Sequence, residues 1–356
     1  MKLFVGYQLC RDTQFIDGIL AHKEQIEEVY FSWESMPSGR SRVGLDIGLF
    51  PWEAAQRQRD ELQKIADSGI GLNLLLNANC YGAQSLSRSF FQSTGDLISF
   101  LSDQMNLISV TTTSPIIGHF VRENFSELEV RASVNMEIAT EEGMEYLADS
   151  FTSYYAKREL NHDLTALRRL RNWCDDHGKR LNLLANSGCL NYCSARQFHD
   201  NLVAHEQEIA IQDNAFVFHS ACRSYLGSEK HRANILRVSN WIRPEDMEQY
   251  EEIADGVKLA TRVAANPLQI LLAYTSGHFA GNMLELLEPN YSELFYPVVL
   301  DNTAFPDDYN EKRCQCNRDC KSCGYCEQVF HSVKRTIPNM MVDNNDMDNQ
   351  EDTITC

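Results

Sequence analysis

The sequence has no apolar run long enough to cross a lipid bilayer. Its longest apolar stretches are of the kind found at Leu268 to Tyr274, whereas a membrane helix needs roughly 18–20 such residues. The segment Met1 to Cys10 carries one lysine and a short apolar patch interrupted by Gln8, which does not match a secretory signal peptide. We therefore expect a cytoplasmic protein.

Positive charge is also scarce. Lys and Arg together number 32 against 50 Asp and Glu, which gives a formal net charge of −18. Nucleic-acid binding depends on basic side chains that neutralise phosphates, so the average surface of this chain disfavours it. The apolar content of 43% is ordinary for a folded protein with a large core. The expected partners are small anionic molecules, peptides or other proteins, including an electron donor.

Several motifs that identify common enzyme classes are missing. The chain has no Gly-rich phosphate loop of the Walker or Rossmann type, no Gly-x-Ser-x-Gly elbow and no His-Glu-x2-His zinc motif. Nucleotide-binding folds of those types and two large hydrolase classes are thereby disfavoured. A Cys–His dyad stays open, because Cys189 and Cys193 lie close to His199 in the sequence.

Short apolar segments alternate with segments of helical period, which predicts an α/β fold with a parallel sheet. The number of such units favours a (β/α)8 TIM-like barrel over an open sheet. One strand more than a barrel needs is predicted, so one is wrong or lies outside it. The predicted strands are Leu3–Tyr7, Glu28–Trp33, Gly71–Leu76, Leu107–Thr111, Glu129–Val134, Thr152–Ala156, Leu181–Ala185, Leu236–Ile242 and Gly256–Ala260.

The composition and the hydrophobic pattern of the sequence change after Arg262. Residues 1–265 are predicted to form the barrel, and residues 266–335 a helical, cysteine-rich extension that holds metal. The tail at 336–356 has no basic residue and many acidic and amide ones, so we expect it to be disordered.

Cysteine is abundant, with 12 residues, and it is clustered. The densest run is Cys314-x-Cys316-x3-Cys320-x2-Cys323-x2-Cys326. Cytosolic thiols are rarely disulfide-bonded, and compact spacing of this kind lets several thiolates surround one metal centre. Four thiolates suit either zinc or an iron–sulfur cluster, and the spacing does not distinguish the two.

A second cysteine pattern follows the predicted strand Leu181–Ala185. It reads Cys189-x3-Cys193-x2-Arg196-x2-His199, with Cys222 further along the chain. Residues just past a barrel strand lie at the catalytic mouth. If a helix begins here, Cys189 and Cys193 share one face and can bind one metal; the alternative is that both are small buried hydrophobes. Three thiolates leave a fourth ligand to be found, or an open iron that faces substrate.

Polar residues near the ends of other predicted strands are further site candidates. Arg158 and Glu159 are candidate catalytic residues and Asn161 a candidate substrate contact, with ion pairing at the rim as the alternative. Three arginines from different segments are predicted to converge on an anionic ligand. A histidine and a lysine are candidate acid–base groups. These five residues are, in chain order, Arg196, His199, Arg243, Lys258 and Arg262.

The run from Asn186 to His199 resembles the Asn-x2-Cys-x3-Cys-Pro-x-Arg-x2-His signature of a branch of the collagenase-like U-32 peptidase family. Ser194 stands where that signature has proline, and the tail after Arg335 has no counterpart in it. Other segments resemble family segments in the same order along the chain: Leu107–Pro115, Val130–Val134, Arg158–Leu164, Trp241–Asp246 and Lys258–Arg262. The resemblance covers roughly residues 1–330.

This resemblance implies a TIM-like barrel with a 4Fe–4S cluster. Members of that branch include accessory proteins of oxygen-independent ubiquinone hydroxylation and RNA-base hydroxylases thought to take oxygen from prephenate. It makes Cys189, Cys193 and Cys222 cluster ligands, with Cys80 as the favoured fourth ligand and Cys10 as its alternative. A second cluster, with zinc as the alternative, is then assigned to Cys316, Cys320, Cys323 and Cys326, and Cys314 is spare.

The function that follows is an iron–sulfur enzyme that carries out oxygen-independent hydroxylation or a related redox modification of a small molecule or peptide. In that scheme the second cluster relays electrons to the first. One alternative is a peptidase, as the family name suggests. Another is a non-catalytic iron–sulfur protein that serves electron transfer or partner docking.

Overall fold

A closed barrel of eight parallel strands forms the centre of the molecule, as seen in a computed structural model that describes residues 1–33, 36, 38–39 and 48–338. Each strand pairs with the next, and β8 returns to β1 with Leu3 opposite Val257. The predicted TIM-like barrel is thereby confirmed. Its strands are β1 Lys2–Gly6, β2 Ile26–Phe31, β3 Gly71–Leu76, β4 Leu107–Thr112, β5 Glu129–Ala132, β6 Ser153–Tyr155, β7 Arg180–Leu184 and β8 Gly256–Leu259.

Helices surround the barrel and continue beyond it, and two short strands, β9 Val298–Leu300 and β10 Lys334–Thr336, pair with each other. The α-helices are α1 Gln14–Ala21, α2 Pro51–Asp67, α3 Arg88–Gln104, α4 Pro115–Asn124, α5 Glu141–Glu145, α6 Leu164–Asp176, α7 Arg196–Ala204, α8 Glu206–Ala210, α9 Ala221–Gly227, α10 Glu229–Arg232, α11 Ile235–Val238, α12 Pro267–Ser276, α13 Ser292–Phe295, α14 Tyr309–Cys314, α15 Cys320–Cys323 and α16 Tyr325–Val333. Short 3-10 helices are Gly82–Gln84, Val134–Met136, Arg158–His162, Pro244–Tyr250, Met283–Leu286 and Asn302–Ala304.

The barrel interior has a polar layer at mid-height. Because side chains alternate along a strand, every second residue points inward. Arg131 of β5 lies fully buried there, with its guanidinium 2.6 Å from the carboxylate of Glu28. Asn73 and Ser109 also donate to Glu28, each at 2.9 Å. A buried ion pair with this many hydrogen bonds closes the barrel below the mouth.

Above the polar layer lies a ring of apolar and aromatic side chains that forms the floor of the mouth. Its members are Phe4, Tyr30, Leu75, Val134, Tyr155 and Leu184. At Gly256 of β8 a Cβ would fall 2.0 Å from the Phe4 ring, so only glycine admits this ring to the barrel centre. The floor therefore depends on close packing between β1 and β8.

The surplus predicted strand is Leu236–Ile242, and that prediction is wrong. Its first residues form α11, with Ile235 and Leu236 buried, and the rest is an extended segment outside the barrel ladder. Ile242 donates its amide to the carbonyl of Ala185 at 2.8 Å. An apolar run reports burial, and here the buried segment packs across the end of β7 rather than within the sheet.

The part of the chain after the barrel packs back onto it. Helix α12 lies against α1, and α16 lies against α11. The predicted extension at 266–335 is therefore in contact with the barrel, and most of the predicted tail, 339–356, lies outside the described residues. No helix in the described part of the chain combines the length and apolarity needed to span a bilayer.

Candidate active site at the barrel mouth

A cavity of about 760 Å³ opens at the carboxyl ends of the barrel strands. Residues that follow β1, β3, β5, β6, β7 and β8 contribute to its wall, as the fold requires of a TIM-barrel site. Eight residues predicted from the sequence line this cavity together: Arg158, Cys189, Cys193, Arg196, His199, Cys222, Lys258 and Arg262.

The segment that carries Cys189 and Cys193 is a loop, and the conditional prediction of a helix there is wrong. Helix α7 begins only at Arg196, and Tyr192 has a left-handed backbone with φ of 53°. Asn186 holds the start of the loop by donating to the carbonyl of Leu286 at 2.8 Å and accepting from the amide of Ala260 at 2.7 Å. The two thiols line one cavity because of these anchors, not because of helical spacing.

A buried carboxylate fixes the other side of the same loop. Glu159 accepts a hydrogen bond from the backbone amide of Tyr192 at 2.9 Å and lies 3.2 Å from the guanidinium of Arg196. Arg196 also donates to the carbonyl of Leu190 at 2.7 Å and to Glu137 at 2.8 Å. Glu159 does not line the cavity. Its contacts are those of a group that positions the loop.

Lys258 lies in the floor of the cavity, at the end of β8. Its Nζ is 3.9 Å from the ring centroid of Tyr30 and 5.3 Å from that of Tyr155. Burial lowers the pKa of Lys258 to about 7, and the nearby cation of Arg262 contributes to this shift. An amine with such a pKa is able to bind an anion when protonated and to accept a proton when neutral.

Asp200 is a cavity residue that the sequence did not single out. It follows His199 in α7 and lines the same wall. Burial raises the pKa of Asp200, while Arg158, Arg196 and His199 act in the opposite direction. The ring of His199 lies 5.3 Å from that of Phe218, which also lines the cavity. The wall therefore combines a carboxylic acid, an imidazole and guanidinium groups.

Two predicted substrate contacts lie elsewhere. Arg243 forms a bidentate pair with Asp246, with both N–O distances at 2.8 Å, and it packs against the rings of Phe305 and Tyr309. Asn161 is buried and donates to backbone carbonyls, at 2.9 Å to that of Leu184. Neither side chain lines the mouth cavity, because Asp246 holds Arg243 and backbone carbonyls hold Asn161.

The two candidates for a fourth mouth ligand also lie outside the cavity lining. Cys80 is at the rim after β3, where hydrogen bonds from His205 and the amide of Gly82 lower the pKa of its thiol. The His205 ring pairs with Glu208 at 2.9 Å. For Cys10, burial raises the thiol pKa to about 11. The structure thus places Cys80 in a Cys–His–Glu arrangement that spacing along the sequence did not reveal.

The C-terminal cysteines surround a separate cavity of about 450 Å³. Cys316, Cys320, Cys323 and Cys326 all line it. Cys314 does not line it, and its thiol contacts the hydroxyl of Tyr250 at 3.9 Å. Four thiols around one cavity are the donor set that zinc or an iron–sulfur cluster requires.

As they stand, the described side chains form no ready metal site. No group of three or more His, Cys, Asp or Glu within the described ranges is arranged to hold a metal ion, and none of the described cysteines is in a disulfide. The donor chemistry nevertheless fits, because three thiols share the mouth cavity and four share the C-terminal one. Binding at either place requires rotation of side chains that are exposed or only partly buried.

Other residues at these sites were not anticipated from the sequence. Tyr192 and Arg318 lie inside the two cysteine motifs, and Arg313 directly precedes one, so position within a motif was the available signal. His205 and Glu208 carried no such signal, because their partner Cys80 is far from them in the sequence.

Comparison with known proteins finds a protein of similar sequence and a solved structure of similar fold. No protein-family model matches the chain. An uncharacterized protease of Methanocaldococcus jannaschii is 23% identical over 265 residues, covering 73% of this chain and 76% of that protein. The solved structure of the U32 peptidase Mk0906 superposes with a TM-score of 0.50 at 15% identity, covering 72% of this chain and 91% of the other. The second likeness shows a shared fold.

Proposed function

We propose that this chain, which its archaeal relative and its barrel relate to the U-32 peptidase family, is an iron–sulfur enzyme. Its substrate is a carboxylate-bearing small molecule or peptide, bound at the barrel mouth. The reaction class is a redox modification, with oxygen-independent hydroxylation as the expected form. One observation carries the proposal: Cys189, Cys193 and Cys222 line a single cavity together with Lys258 and four arginines, which are Arg158, Arg196, Arg223 and Arg262.

The cations of the cavity explain the choice of substrate. In a protein with net charge −18, Arg158, Arg196, Lys258 and Arg262 all face one opening. Guanidinium groups bind carboxylates through paired hydrogen bonds. The charges of Arg158 and Arg262 both act to lower the pKa of Lys258 in the floor of the cavity, so we assign these two arginines to the ligand.

Other residues of the mouth are assigned by their surroundings. Lys258, with its pKa of about 7, exchanges a proton with the bound substrate. Tyr30 and Tyr155 cover the floor and keep bulk water from reaching it through the barrel. Cys189, Cys193 and Cys222 would hold a 4Fe–4S cluster at this place, and the cluster would supply one-electron chemistry.

Anaerobic purification followed by iron, acid-labile sulfide and EPR measurements tests this proposal. We expect wild type to contain iron and sulfide, and Cys189→Ala to lose one EPR signal while keeping any signal from the C-terminal site. Cys174→Ala is the matched control, because Cys174 is a buried residue of α6 that contacts Met144 and lines neither cavity. Stoichiometric zinc without sulfide contradicts the proposal.

A thiol peptidase is the second candidate, favoured by the arrangement at Cys80. A cysteine whose pKa is lowered by a histidine, with that histidine paired to a carboxylate, has the composition of an activated nucleophile. The relative from Methanocaldococcus jannaschii is itself named a protease. This candidate predicts peptide cleavage that survives iron removal and disappears in Cys80→Ala but not in Cys189→Ala.

A non-catalytic role is distinguished by the same preparations. A stable complex with a second protein, and no turnover of small molecules or peptides by the isolated chain, favours electron transfer or docking over catalysis.

A further inference from the structure

We propose that Cys316, Cys320, Cys323 and Cys326 form a tetrathiolate metal centre that positions the Cys189–Cys193 loop of the mouth, through Arg313 and Arg318. The inference rests on the proposed function only in treating that loop as part of the active site. The structural support for the inference comes from contacts between the two cysteine segments.

Arg318 makes the first connection. It lies between Cys316 and Cys320, and its backbone amide donates to the sulfur of Cys316 at 3.3 Å. Its guanidinium donates to the hydroxyl of Tyr192, lies 5.2 Å from the centroid of that ring, and donates to the carbonyl of Glu159 at 3.0 Å. One residue thus contacts a C-terminal thiol through its backbone and the mouth loop through its side chain.

Arg313 makes the second connection. This buried guanidinium donates to the sulfur of Cys326 at 3.4 Å and to the side-chain oxygen of Asn240 at 3.0 Å. The same oxygen of Asn240 accepts from Asn191, which is part of the mouth loop, at 3.0 Å. Asn240 also donates to the carbonyl of Glu159. Arg313 therefore reaches the loop through one intermediate side chain.

Both connections converge on the groups that hold the loop. The guanidinium of Arg318 contacts the ring and the hydroxyl of Tyr192, and the backbone amide of Tyr192 donates to Glu159. Arg196 links Glu159 to the carbonyl of Leu190 inside the loop. A shift of either C-terminal arginine would therefore change the contacts that hold residues 189–193, where two of the mouth thiols lie.

The segment around Arg318 has little else to fix it. Helix α15 has four residues and buries none of them, and Cys320 and Cys323 are exposed. Arg318 itself has a left-handed backbone, with φ of 63°. Ordering such a segment costs about 1–2 kcal/mol of backbone entropy per residue, which small exposed contacts do not offset. In this segment, metal–thiolate bonds are able to offset this entropy cost.

Charge supports a thiolate centre at this place. The Arg313 guanidinium donates a hydrogen bond to the sulfur of Cys326 at 3.4 Å. The backbone amide of Arg318 points at a second sulfur. Cationic and N–H donors around sulfur stabilise the deprotonated form that zinc and iron both require. Zinc and an iron–sulfur cluster share this chemistry, and metal and sulfide analysis distinguishes them.

The test compares Cys320→Ala and Arg318→Ala with wild type, all purified anaerobically as the full chain. Metal content is measured together with hydrogen exchange of the amides at residues 188–195. We expect Cys320→Ala to lose the C-terminal metal and Arg318→Ala to keep it. Loop amides should exchange about tenfold faster in both variants, because Arg318→Ala removes the contacts of a charged group and Cys320→Ala removes the metal that holds Arg318 in place.

Lys321→Ala is the matched control, since Lys321 is a basic, exposed residue of the same segment. It should change neither the metal content nor loop exchange. Arg318→Lys keeps the charge near Tyr192 but not the forked hydrogen bonds, so it should restore part of the protection. Amides of β4, on the far side of the barrel, should stay protected in every variant.

Two results overturn the proposal: unchanged metal content in Cys320→Ala, or unchanged loop exchange in Arg318→Ala. If Cys320→Ala does not fold, removal of metal from wild type by a chelator replaces it, with the same expected rise in loop exchange. Failure of the proposed function is seen separately, as absence of an EPR signal that depends on Cys189 while the loop remains coupled.

Discussion

The two cysteine sites of this protein are built in opposite ways. At the barrel mouth, three thiols are brought together by a loop and a distant helix, above a floor made by strands of the barrel. At the C-terminal site, four thiols lie between residues 316 and 326, and two of them, Cys320 and Cys323, lie on a helix of four residues. The first site is a product of the fold, and the second is a product of local spacing.

This difference explains what each site needs in order to form. The mouth rests on buried structure, including the fully buried pair of Arg131 and Glu28. The C-terminal segment exposes Cys320 and Cys323 and buries little around them. We therefore expect the mouth to depend on barrel stability and the C-terminal site to depend on its metal.

The largest expected effect is on the structure beneath the mouth. Arg131→Met leaves Glu28 buried without its cation, which should lower the free energy of unfolding by about 3–5 kcal/mol. Urea denaturation of the variant measures this loss. Arg169→Met is the control, because Arg169 is exposed and pairs with Glu141 at 3.4 Å; a surface pair contributes about 0–1 kcal/mol. Equal losses of unfolding free energy in the two variants would contradict the expectation that the mouth depends on the stability of the barrel.

A smaller, pH-dependent effect is expected at Lys258. Its folded pKa of about 7 lies below the usual 10.5, so between those values the unfolded chain binds a proton that the folded chain does not. The contribution of Lys258 to the free energy of unfolding therefore rises with pH between about 7 and 10.5. Lys258→Met should be more stable than wild type at pH 6, with the difference shrinking towards pH 10.

Urea denaturation of both proteins at pH 6, 7.5 and 9 measures this difference. Lys321→Met supplies the contrast from the C-terminal site, since Lys321 is exposed and should show no such pH dependence relative to wild type. A difference between Lys258→Met and wild type that stays constant with pH would mean that Lys258 is charged in the floor throughout this range.

Much of the barrel was predictable because its signals are local. Strands such as Gly71–Leu76 were predicted at their observed bounds. The error at Leu236–Ile242 has a physical cause. Apolar residues there are buried by packing over the end of β7, and burial alone does not distinguish a strand from an irregular segment.

The candidate sites were likewise predictable only where their signal is local in the sequence. Spacing identified Cys316 to Cys326 as one group, because all four thiols lie within reach of one another along the chain. It placed Arg243 with the mouth arginines, although Asp246 holds that side chain elsewhere. It gave no sign that Arg313 and Arg318 connect the two sites, since their partners are more than seventy residues away in the sequence. Contacts of that range are set by tertiary packing.

The smallest effect is expected at Cys314, and it tests where the C-terminal site ends. This thiol contacts Tyr250 and Asn310 rather than the other cysteines, and burial raises its pKa to about 11, which disfavours a thiolate. Cys314→Ala should therefore keep the metal content of wild type and lose no more than about 1 kcal/mol of stability, the value of one weak hydrogen bond. Metal analysis beside Cys320→Ala decides the point, because a loss of metal in Cys314→Ala would make it a fifth member of the site and extend that site towards the barrel.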